Sequence, residues 1–251
     1  MGKVLAVTNQ KGGVGKTTTS VNLAASLVAT KRKVLLIDLD PQGNATMGSG
    51  VNKHALENSI YDVLVDDLSI AQARLATTPG FDLIAANGDL TAAEVELLDM
   101  DDKEQRLKRA LAPVQGEYDY IIIDCPPSLN MLTVNALVAS DSVLIPMQCE
   151  YYALEGLTAL LNTIEKIKSV LNPELEIDGL LRTIGIEPET LLDVVDALGG
   201  AIGVAARCRP ALQRQVVVRF AAAGEGVGVV DAALEDGQLL EDAAAPRAQH
   251  G

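Results

Sequence analysis

A run of glycines and lysines near the amino terminus carries the strongest chemical signal in the chain. Its residues are Lys11, Gly12, Gly13, Val14, Gly15, Lys16, Thr17 and Thr18. The glycines allow the backbone to curl so that successive N–H groups converge on an anion. Because a helix-like stretch follows directly, the positive end of a helix would face the same point. The pattern predicts a loop that binds phosphate groups.

Two side chains of this loop could act on a bound nucleotide. The Lys16 ammonium would neutralise β- and γ-phosphate oxygens, and the Thr17 hydroxyl would ligate Mg²⁺. The usual G-x-x-x-x-G-K-[ST] pattern fails at its first position, where Gln10 replaces glycine and Lys11 follows as a second lysine. A glycine-rich turn with a chance lysine is the alternative, but the strand–loop–helix context favours a nucleotide site.

Carboxylates follow two other strand-like runs. Asp38 and Asp40 come after the apolar residues 34–37, and Asp124 comes after residues 120–123. A carboxylate at a strand end can orient a water for attack on the γ-phosphate or support the magnesium shell. We expect Asp38 and Asp124 to lie at the metal. The alternatives are a solvated turn around Asp38 and Asp40 and a helix N-cap at Asp124.

Apolar runs and helix-like stretches alternate through the first 183 residues. The predicted strands are 4–8, 34–37, 81–85, 120–123, 143–146 and 177–181. The predicted helices are 17–30, 91–98, 103–111, 132–138 and 154–171. Continuous apolar strands are typical of a parallel sheet that helices cover on both faces. The order predicts a doubly wound, mostly parallel α/β sheet with its ligand site beyond the carboxyl ends of the strands.

Composition limits the possible functions. The 251 residues are 48% apolar, which suits one large α/β domain. No apolar run reaches about 18 residues, so we expect no membrane-spanning helix, and the missing signal-peptide pattern predicts a cytoplasmic protein. Cys125, Cys149 and Cys208 lack the spacing of a disulfide framework or a zinc site. With a net charge of −14, any DNA binding has to come from a local basic patch.

The composition changes abruptly after residue 183. Residues 184–251 contain no Lys, Asn, Ser, Tyr or Met, all of which occur repeatedly before that point. Strand-like pieces remain at 201–206 and 215–220, but glycines interrupt the periodicity. We therefore divide the chain into a core, 1–183, and a C-terminal segment, 184–251, which is either divergent or translated out of frame.

The three motifs together resemble the deviant Walker A ATPases, and within that superfamily most closely the ParA/Soj chromosome- and plasmid-partitioning proteins. The narrower match lies in Asp-Leu-Asp-Pro-Gln-Gly-Asn, which begins at Asp38, and in Glu-Tyr-Tyr-Ala-Leu-Glu-Gly, which begins at Glu150. The resemblance covers residues 1–183 and implies a P-loop ATPase core. It stops there, because residues 184–251 lack the adenine-contacting Pro-Arg-Asn-like loop and the basic end of the family.

The resemblance implies a weak ATPase that uses ATP and Mg²⁺ and forms a sandwich dimer when ATP is bound. Lys11 would reach the partner's phosphates, as an arginine finger does in trans. Lys16 and Thr17 would bind phosphate and magnesium, Asp40 would position the attacking water, and Asp124 would support the metal. The family's dimer coats double-stranded DNA nonspecifically, and a ParB-type protein stimulates hydrolysis. We therefore expect a cytoplasmic, nucleoid-associated protein.

Other functions stay open. A MinD-like, membrane-associated positioning ATPase requires a basic amphipathic C-terminal helix, whereas residues 231–242 are acidic. A nitrogenase-like iron protein requires cluster-binding cysteines, but Cys125 and Cys149 fit better as small core residues. A catalytically impaired remnant with an intact phosphate loop is the remaining alternative.

A basic cluster in the predicted helix 103–111 is a candidate DNA-binding patch. Its members are Lys103, Arg106, Lys108 and Arg109. Acidic residues lie close by in the sequence. We therefore interpret the cluster as the solvated face of a helix with i,i+4 ion pairs, rather than as a phosphate-binding surface.

Overall fold

A computed structural model describes residues 2–148 and 153–184 and the strands at 215–220, 228–235 and 238–239. The strands of the main sheet are β1 (Lys3–Val7), β2 (Val34–Asp38), β3 (Leu75–Ala76), β4 (Asp82–Ile84), β5 (Tyr120–Asp124), β6 (Ser142–Gln148) and β7 (Glu176–Ile184). The α-helices are α1 (Lys16–Ala29), α2 (Asn44–Gly48), α3 (Ile60–Leu64), α4 (Ile70–Ala73), α5 (Leu90–Glu96), α6 (Arg106–Leu111), α7 (Met131–Ala139) and α8 (Ala153–Val170). Short 3₁₀ turns occur at Lys53–Ala55, Leu97–Asp99 and Gln115–Glu117.

The main sheet has the order β3-β4-β2-β5-β1-β6-β7. Every neighbouring pair is parallel except the short edge pair β3–β4. This arrangement confirms the predicted doubly wound, mostly parallel α/β sheet. A separate antiparallel sheet contains β8 (Gln215–Phe220), β9 (Gly228–Glu235) and β10 (Gln238–Leu239). Strand β8 coincides with the strand predicted at 215–220, whereas the one predicted at 201–206 lies outside the described residues.

Alternating residues of the central strands face two separate apolar cores. On β5, Ile121 and Ile123 belong to the larger core, which contains the buried faces of α3, α5, α6, α7 and α8. Ile122 belongs to the smaller core, where Leu23 and Ala24 of α1 pack. All three isoleucines are 0% exposed. Burial on both faces explains why the strands are continuous apolar runs rather than alternating ones.

The parallel register brings the predicted site residues to one edge of the sheet. On β5, Asp124 lies beside Val7, the last residue of β1, and also beside Asp38, the last residue of β2. The chain leaves each of these strands at the carboxyl end, where ligands of doubly wound sheets bind. The two carboxylates and the phosphate loop are therefore neighbours because of strand order alone.

Three short helices and one edge strand are absent from the sequence-based prediction. Helices α3 and α4 each have a capping box, in which Ser59 pairs with Asp62 and Ser69 pairs with Gln72. The carboxylate of Asp62 accepts from the Ser59 N–H at 2.7 Å. These S-x-x-D and S-x-x-Q patterns are recognisable in the sequence. Helices α3 and α4 have only five and four residues, which is too short to show a helical period in the sequence.

The interpretation of the basic cluster is wrong for Arg106. Its side chain is buried, and its guanidinium donates to the Leu64 carbonyl at 2.9 Å and contacts Asp67 at 2.7 Å. Arg109 contacts Asp102 at 3.5 Å, a separation of seven residues rather than four. Helix α6 begins only at Arg106, so Lys103 precedes it. Arg106 fastens α6 to the end of α3, which removes it from any solvated or DNA-binding face.

Cys125 agrees with the expectation that it is a small core residue. Cys125 is buried and free, and its burial raises the pKa of the thiol, as expected for a core residue. Cys149 and Cys208 lie outside the described residues. In the described part of the chain, no helix is long and apolar enough to cross a membrane.

Replacing Asn135 with leucine should destabilise the fold by about 3 kcal/mol. This fully buried amide accepts from the Leu107 N–H at 3.1 Å and donates to the Lys103 carbonyl at 2.6 Å. Leucine would leave both backbone groups buried and unpaired, at a cost of about 1–3 kcal/mol each. Urea unfolding measures the loss, and Asn162→Leu on the exposed face of α8 is the control, expected within about 0.5 kcal/mol of the parent. Equal losses in the two variants would contradict this role.

Candidate functional site

The glycine-rich loop connects β1 to α1, and the space beside its glycines is open. Gly13 and Gly15 have φ of 73° and 84°, a left-handed region that favours glycine. Gly15 is the N-cap of α1, which begins at Lys16. A Cβ built on Gly12 or Gly13 would meet no atom within 4 Å. The glycines therefore leave free space at the start of the helix, as the predicted phosphate site requires.

Lys16 points back across this loop rather than into solvent. Its side chain is largely buried, and its Nζ donates to the Lys11 carbonyl at 3.0 Å. Burial lowers the pKa of the ammonium, and the nearby charges of Asp124 and Asp40 act in the opposite direction. The ammonium thus lies inside the loop, where an anion would meet it. Thr18, also predicted at this site, is an exposed residue in the first turn of α1.

The predicted metal residues Thr17 and Asp124 are in direct contact. The Thr17 hydroxyl donates to Oδ2 of Asp124 at 2.8 Å, and the Ser20 hydroxyl donates to Oδ1 at 2.9 Å. Asp124 is 0% exposed. Burial raises the pKa of this carboxyl to about 7, with a further contribution from the charge of Asp38. Both carboxylate oxygens are thereby held by hydroxyls one turn apart on α1.

Asp38 and Asp40 have different environments. Asp38 is 0% exposed and accepts from Asp40 N at 3.1 Å and from the Thr46 hydroxyl at 2.8 Å, with burial raising the pKa of its carboxyl to about 6. Asp40 is 8% exposed, and its Oδ1 accepts from Gln42 N at 2.9 Å. Asp38 therefore organises the loop beneath Asp40. Its metal role stays a prediction.

Gly43 closes the turn that follows Asp40. Its φ is 60°, and its N–H donates to the Asp40 carbonyl at 2.8 Å. A Cβ at this position would lie 2.7 Å from the Ala86 carbonyl oxygen and 2.9 Å from Cδ of Lys53. The turn thus needs glycine for two reasons: the backbone has a positive φ, and a side chain would collide with the Ala86 carbonyl, two residues after β4.

Several residues that hold the site together were not identified from sequence. Ser20 and Thr46 orient the two buried carboxylates. Asn9, Gln148 and Thr183 contact the backbone of the phosphate loop or the strand beside it. Ser20 and Gln148 lie in further stretches that resemble the family, 20–24 and 146–156, and Asn9 lies two positions before Lys11. These residue types do not show which groups they contact, and their partners become apparent only in the fold.

The chain matches a family model over most of the residues that form this site. Residues 2–177 match the AAA_31 family, described as an AAA domain. The match includes the phosphate loop, both carboxylate motifs and the main sheet except residues 178–184 of β7.

Two curated relatives are chromosome-partitioning or sporulation proteins. The chain is 58% identical over 185 residues to the sporulation initiation inhibitor protein Soj of Bacillus subtilis, covering 73% of this chain and 73% of Soj. It is 53% identical over 185 residues to the chromosome partitioning protein ParA of Myxococcus xanthus, covering 73% of this chain and 65% of ParA.

A solved structure shares the fold and contains a nucleotide. It is a Mycobacterium smegmatis protein named cobyrinic acid a,c-diamide synthase, with bound ATP analogue and magnesium. The TM-score is 0.76 at 40% identity, covering 85% of this chain and 88% of that one.

Substituting Gly43 should destabilise the protein much more than substituting Gly50. Both have positive φ, but a Cβ on Gly50 meets no atom within 4 Å. Gly50→Ala should therefore cost only the conformational strain, about 1 kcal/mol, whereas Gly43→Ala should cost about 3 kcal/mol because the Ala86 carbonyl must move. Urea unfolding of the two variants measures the difference. If both lose the same amount, the close contact around Gly43 does not constrain the turn.

Proposed function

Given that this chain belongs to the AAA_31 family and, within it, to the ParA/Soj chromosome-partitioning ATPases, we propose that it binds ATP with Mg²⁺ and uses hydrolysis to drive DNA segregation. The observation that carries this proposal is the hydrogen bond of Thr17 to the buried Asp124 beside an open glycine loop. It pairs the hydroxyl that ligates magnesium in P-loop proteins with the strand-end carboxylate that supports it.

The residues present suit a nucleotide bound together with Mg²⁺. Thr17 and Asp124 supply hard oxygen donors, the kind that Mg²⁺ takes in nucleotide sites. When bound, the ion would neutralise negative charge that develops on the phosphate groups. Because the Thr17 hydrogen already points at Asp124, the lone pairs of its oxygen are directed away from that carboxylate and remain available. Lys16 and the amides of Gly12, Gly13, Val14 and Gly15 would hold the phosphates.

Hydrolysis would depend on Asp40. Of the two carboxylates at the carboxyl end of β2, Asp40 retains 8% exposure, whereas Asp38 is fully buried and accepts from Thr46. Asp40 has one oxygen fixed by Gln42 N, which leaves the other able to accept from a water and orient it toward the γ-phosphate. Asp38 acts on the reaction indirectly, by accepting from the Asp40 N–H.

Lys11 would complete the site of a second subunit. Its N–H donates to Oδ1 of Asn9 at 3.0 Å, and its carbonyl accepts from Lys16. These two backbone bonds fix where Lys11 leaves the loop. In an ATP-bound homodimer its ammonium would spread transition-state charge in trans. Dimerisation would then be coupled to hydrolysis, because the second cation arrives only with the partner.

The macromolecular partners follow from the relatives that are named for partitioning. We propose nonspecific double-stranded DNA and a ParB-type protein, with the protein in the cytoplasm on the nucleoid. The net charge of −14 requires that DNA contacts come from a local patch and weaken with salt. Residues 1–183 would be the ATPase core, and 184–251 a C-terminal segment that is either divergent or translated out of frame, with its adenine and DNA contacts unassigned.

Two other functions receive less support. Residues 228–235 and 238–239 are strands, whereas a MinD-like protein needs a basic amphipathic helix near this end. The solved structure named for cobyrinic acid diamide synthesis has a lower identity, 40%, than Soj, 58%. The partitioning function is therefore preferred over both.

Measurement of ATP turnover tests the proposal as a whole. The protein is assayed alone, with duplex DNA, and with DNA plus the ParB-type protein of the same genome, at low and high salt. Turnover should be slow alone and rise with both partners together, and the DNA effect should fall at high salt. A turnover that is unchanged by DNA and ParB would rule out the partitioning role, while leaving the nucleotide site intact.

Asp40→Ala should bind ATP normally and hydrolyse it at least about 100-fold more slowly, since a positioned base contributes about 10²–10⁴. ATP-bound dimer should therefore accumulate on a sizing column. Asp66→Ala, which removes an exposed carboxylate after α3, is the control and should turn over like the parent. Wild-type turnover by Asp40→Ala would show that another group positions the water.

Lys11→Ala should lose the ATP-dependent dimer and still bind ADP. The reason is that only the trans contact is removed, while Lys16 and the loop amides of the same subunit remain. Light scattering with ATP, together with ADP titration, separates the two properties. Lys166→Ala on the exposed face of α8 should behave as the parent. A Lys11→Ala protein that dimerises normally would contradict the trans role.

A further inference from the structure

The outer side of the phosphate loop is fastened to the ends of two strands that are distant in sequence. The Thr183 hydroxyl, near the end of β7, donates to the Val14 carbonyl at 2.7 Å. Nε2 of Gln148, the last residue of β6, donates to the Gly13 carbonyl at 2.9 Å. Two consecutive carbonyls of the loop are therefore held by side chains that lie outside it.

Thr183 also touches the next residue of the loop. A Cβ built on Gly15 would lie 3.3 Å from Cγ2 of Thr183, so the threonine methyl lies against the N-cap of α1. The same hydroxyl has a longer contact of 3.3 Å with the Met147 carbonyl. Since a hydroxyl has one hydrogen, the 2.7 Å bond to Val14 is the stronger of the two.

These contacts decide which way the loop's peptide groups face. The carbonyl of one residue and the N–H of the next belong to one planar peptide unit and point in opposite directions. Drawing the Gly13 and Val14 carbonyls outward therefore turns the N–H groups of Val14 and Gly15 inward. Convergent N–H groups of this kind form an anion-binding nest. A carbonyl facing inward would instead repel a phosphate oxygen.

Neither side chain needs to touch the nucleotide to affect its binding. Thr183 and Gln148 donate to the backbone, and each bond fixes a peptide orientation before a ligand arrives. Without them, the loop would have to be ordered at the expense of binding free energy. The glycines make this support necessary, because Gly13 and Gly15 have the greatest backbone freedom to lose.

We propose that Thr183 and Gln148 are positioning residues that brace the phosphate loop from the ends of β7 and β6 and set its affinity for a nucleoside diphosphate. The proposal rests on the proposed nucleotide site and extends it to two residues on the opposite side of the loop. It makes the end of β7 part of the nucleotide-binding machinery, although Thr183 lies 168 positions after Gly15 in the sequence.

The test compares Thr183→Val, which removes the hydroxyl and keeps the shape, with Thr183→Ser, which keeps the hydroxyl and removes the methyl. Binding of ADP is measured by calorimetry in EDTA, so that magnesium ligation does not contribute. Thr183→Val should bind about fivefold to tenfold more weakly, the effect of one hydrogen bond. Thr183→Ser should stay within about twofold of the parent. The double variant Thr183→Val with Gln148→Leu should lose more than either single change.

Thr163→Val is the matched control, because its hydroxyl also donates to a backbone carbonyl, that of Ala159 at 3.0 Å, on an exposed part of α8. It should bind ADP as the parent does. Parent-like ADP binding by Thr183→Val, or an equal loss in Thr183→Ser, would overturn the brace.

A second measurement separates the brace from the proposed function. Hydrogen exchange of the loop amides at 13–16 is followed in the nucleotide-free protein, where Thr183→Val should accelerate exchange and Thr183→Ser should not. Unchanged exchange in Thr183→Val would also overturn the brace. If the parent itself fails to bind ADP, the proposed function is wrong, and the exchange result alone decides on the brace.

Discussion

A fully buried carboxylate that forms no salt bridge with any described residue is the constraint on which the site depends. Asp124 is 0% exposed, and the hydrogen bonds to its two oxygens come from the hydroxyls of Thr17 and Ser20. Burial of a charge is unfavourable unless hydrogen bonds or opposite charges compensate. The ammonium of Lys16 is nearby and also buried. The first turn of α1 therefore has to stay against the end of β5, which fixes the loop that precedes the helix.

Strand order converts this local constraint into a site. Because β5 lies between β1 and β2, Asp124 is flanked by the strand that leads to the phosphate loop and by Asp38. Burial raises the pKa of Asp124, and the charge of Asp38 raises it further; burial likewise raises the pKa of Asp38, with a smaller contribution from the charge of Asp40. The hydrogen bond from Ser20 lowers the pKa of Asp124, and those from Thr46 lower the pKa of Asp38. A bound divalent cation would stabilise the same ionised carboxylates, so the fold is prepared for a positive charge at this edge.

What could be predicted from sequence was whatever is encoded in local patterns. Glycine spacing located the loop, and continuous apolar runs located the strands, because both depend on residues close together in the chain. Thr183, by contrast, acts on Val14 across 169 positions, and its type carries no sign of that contact. Arg106 illustrates the opposite error. Its neighbours suggested a solvated helix, but the carbonyl of Leu64, 42 positions away, draws it into the interior.

The change of composition after residue 183 begins directly beyond the brace. The residues up to Thr183 complete the parallel sheet and reach the phosphate loop. The hydrogen bond from Thr183 to Val14 therefore uses core residues only, whichever origin the later segment has. Strand β6 pairs with β7 through Met147–Arg182 and Gln148–Ile184, on either side of Thr183, and β7 also contacts β8 of the later segment. Changes in the later segment would therefore act on the nucleotide site chiefly by displacing the end of β7. The phosphate loop and the C-terminal segment are in this way linked through one strand, and loss of nucleotide affinity need not imply any defect in the glycine-rich motif itself.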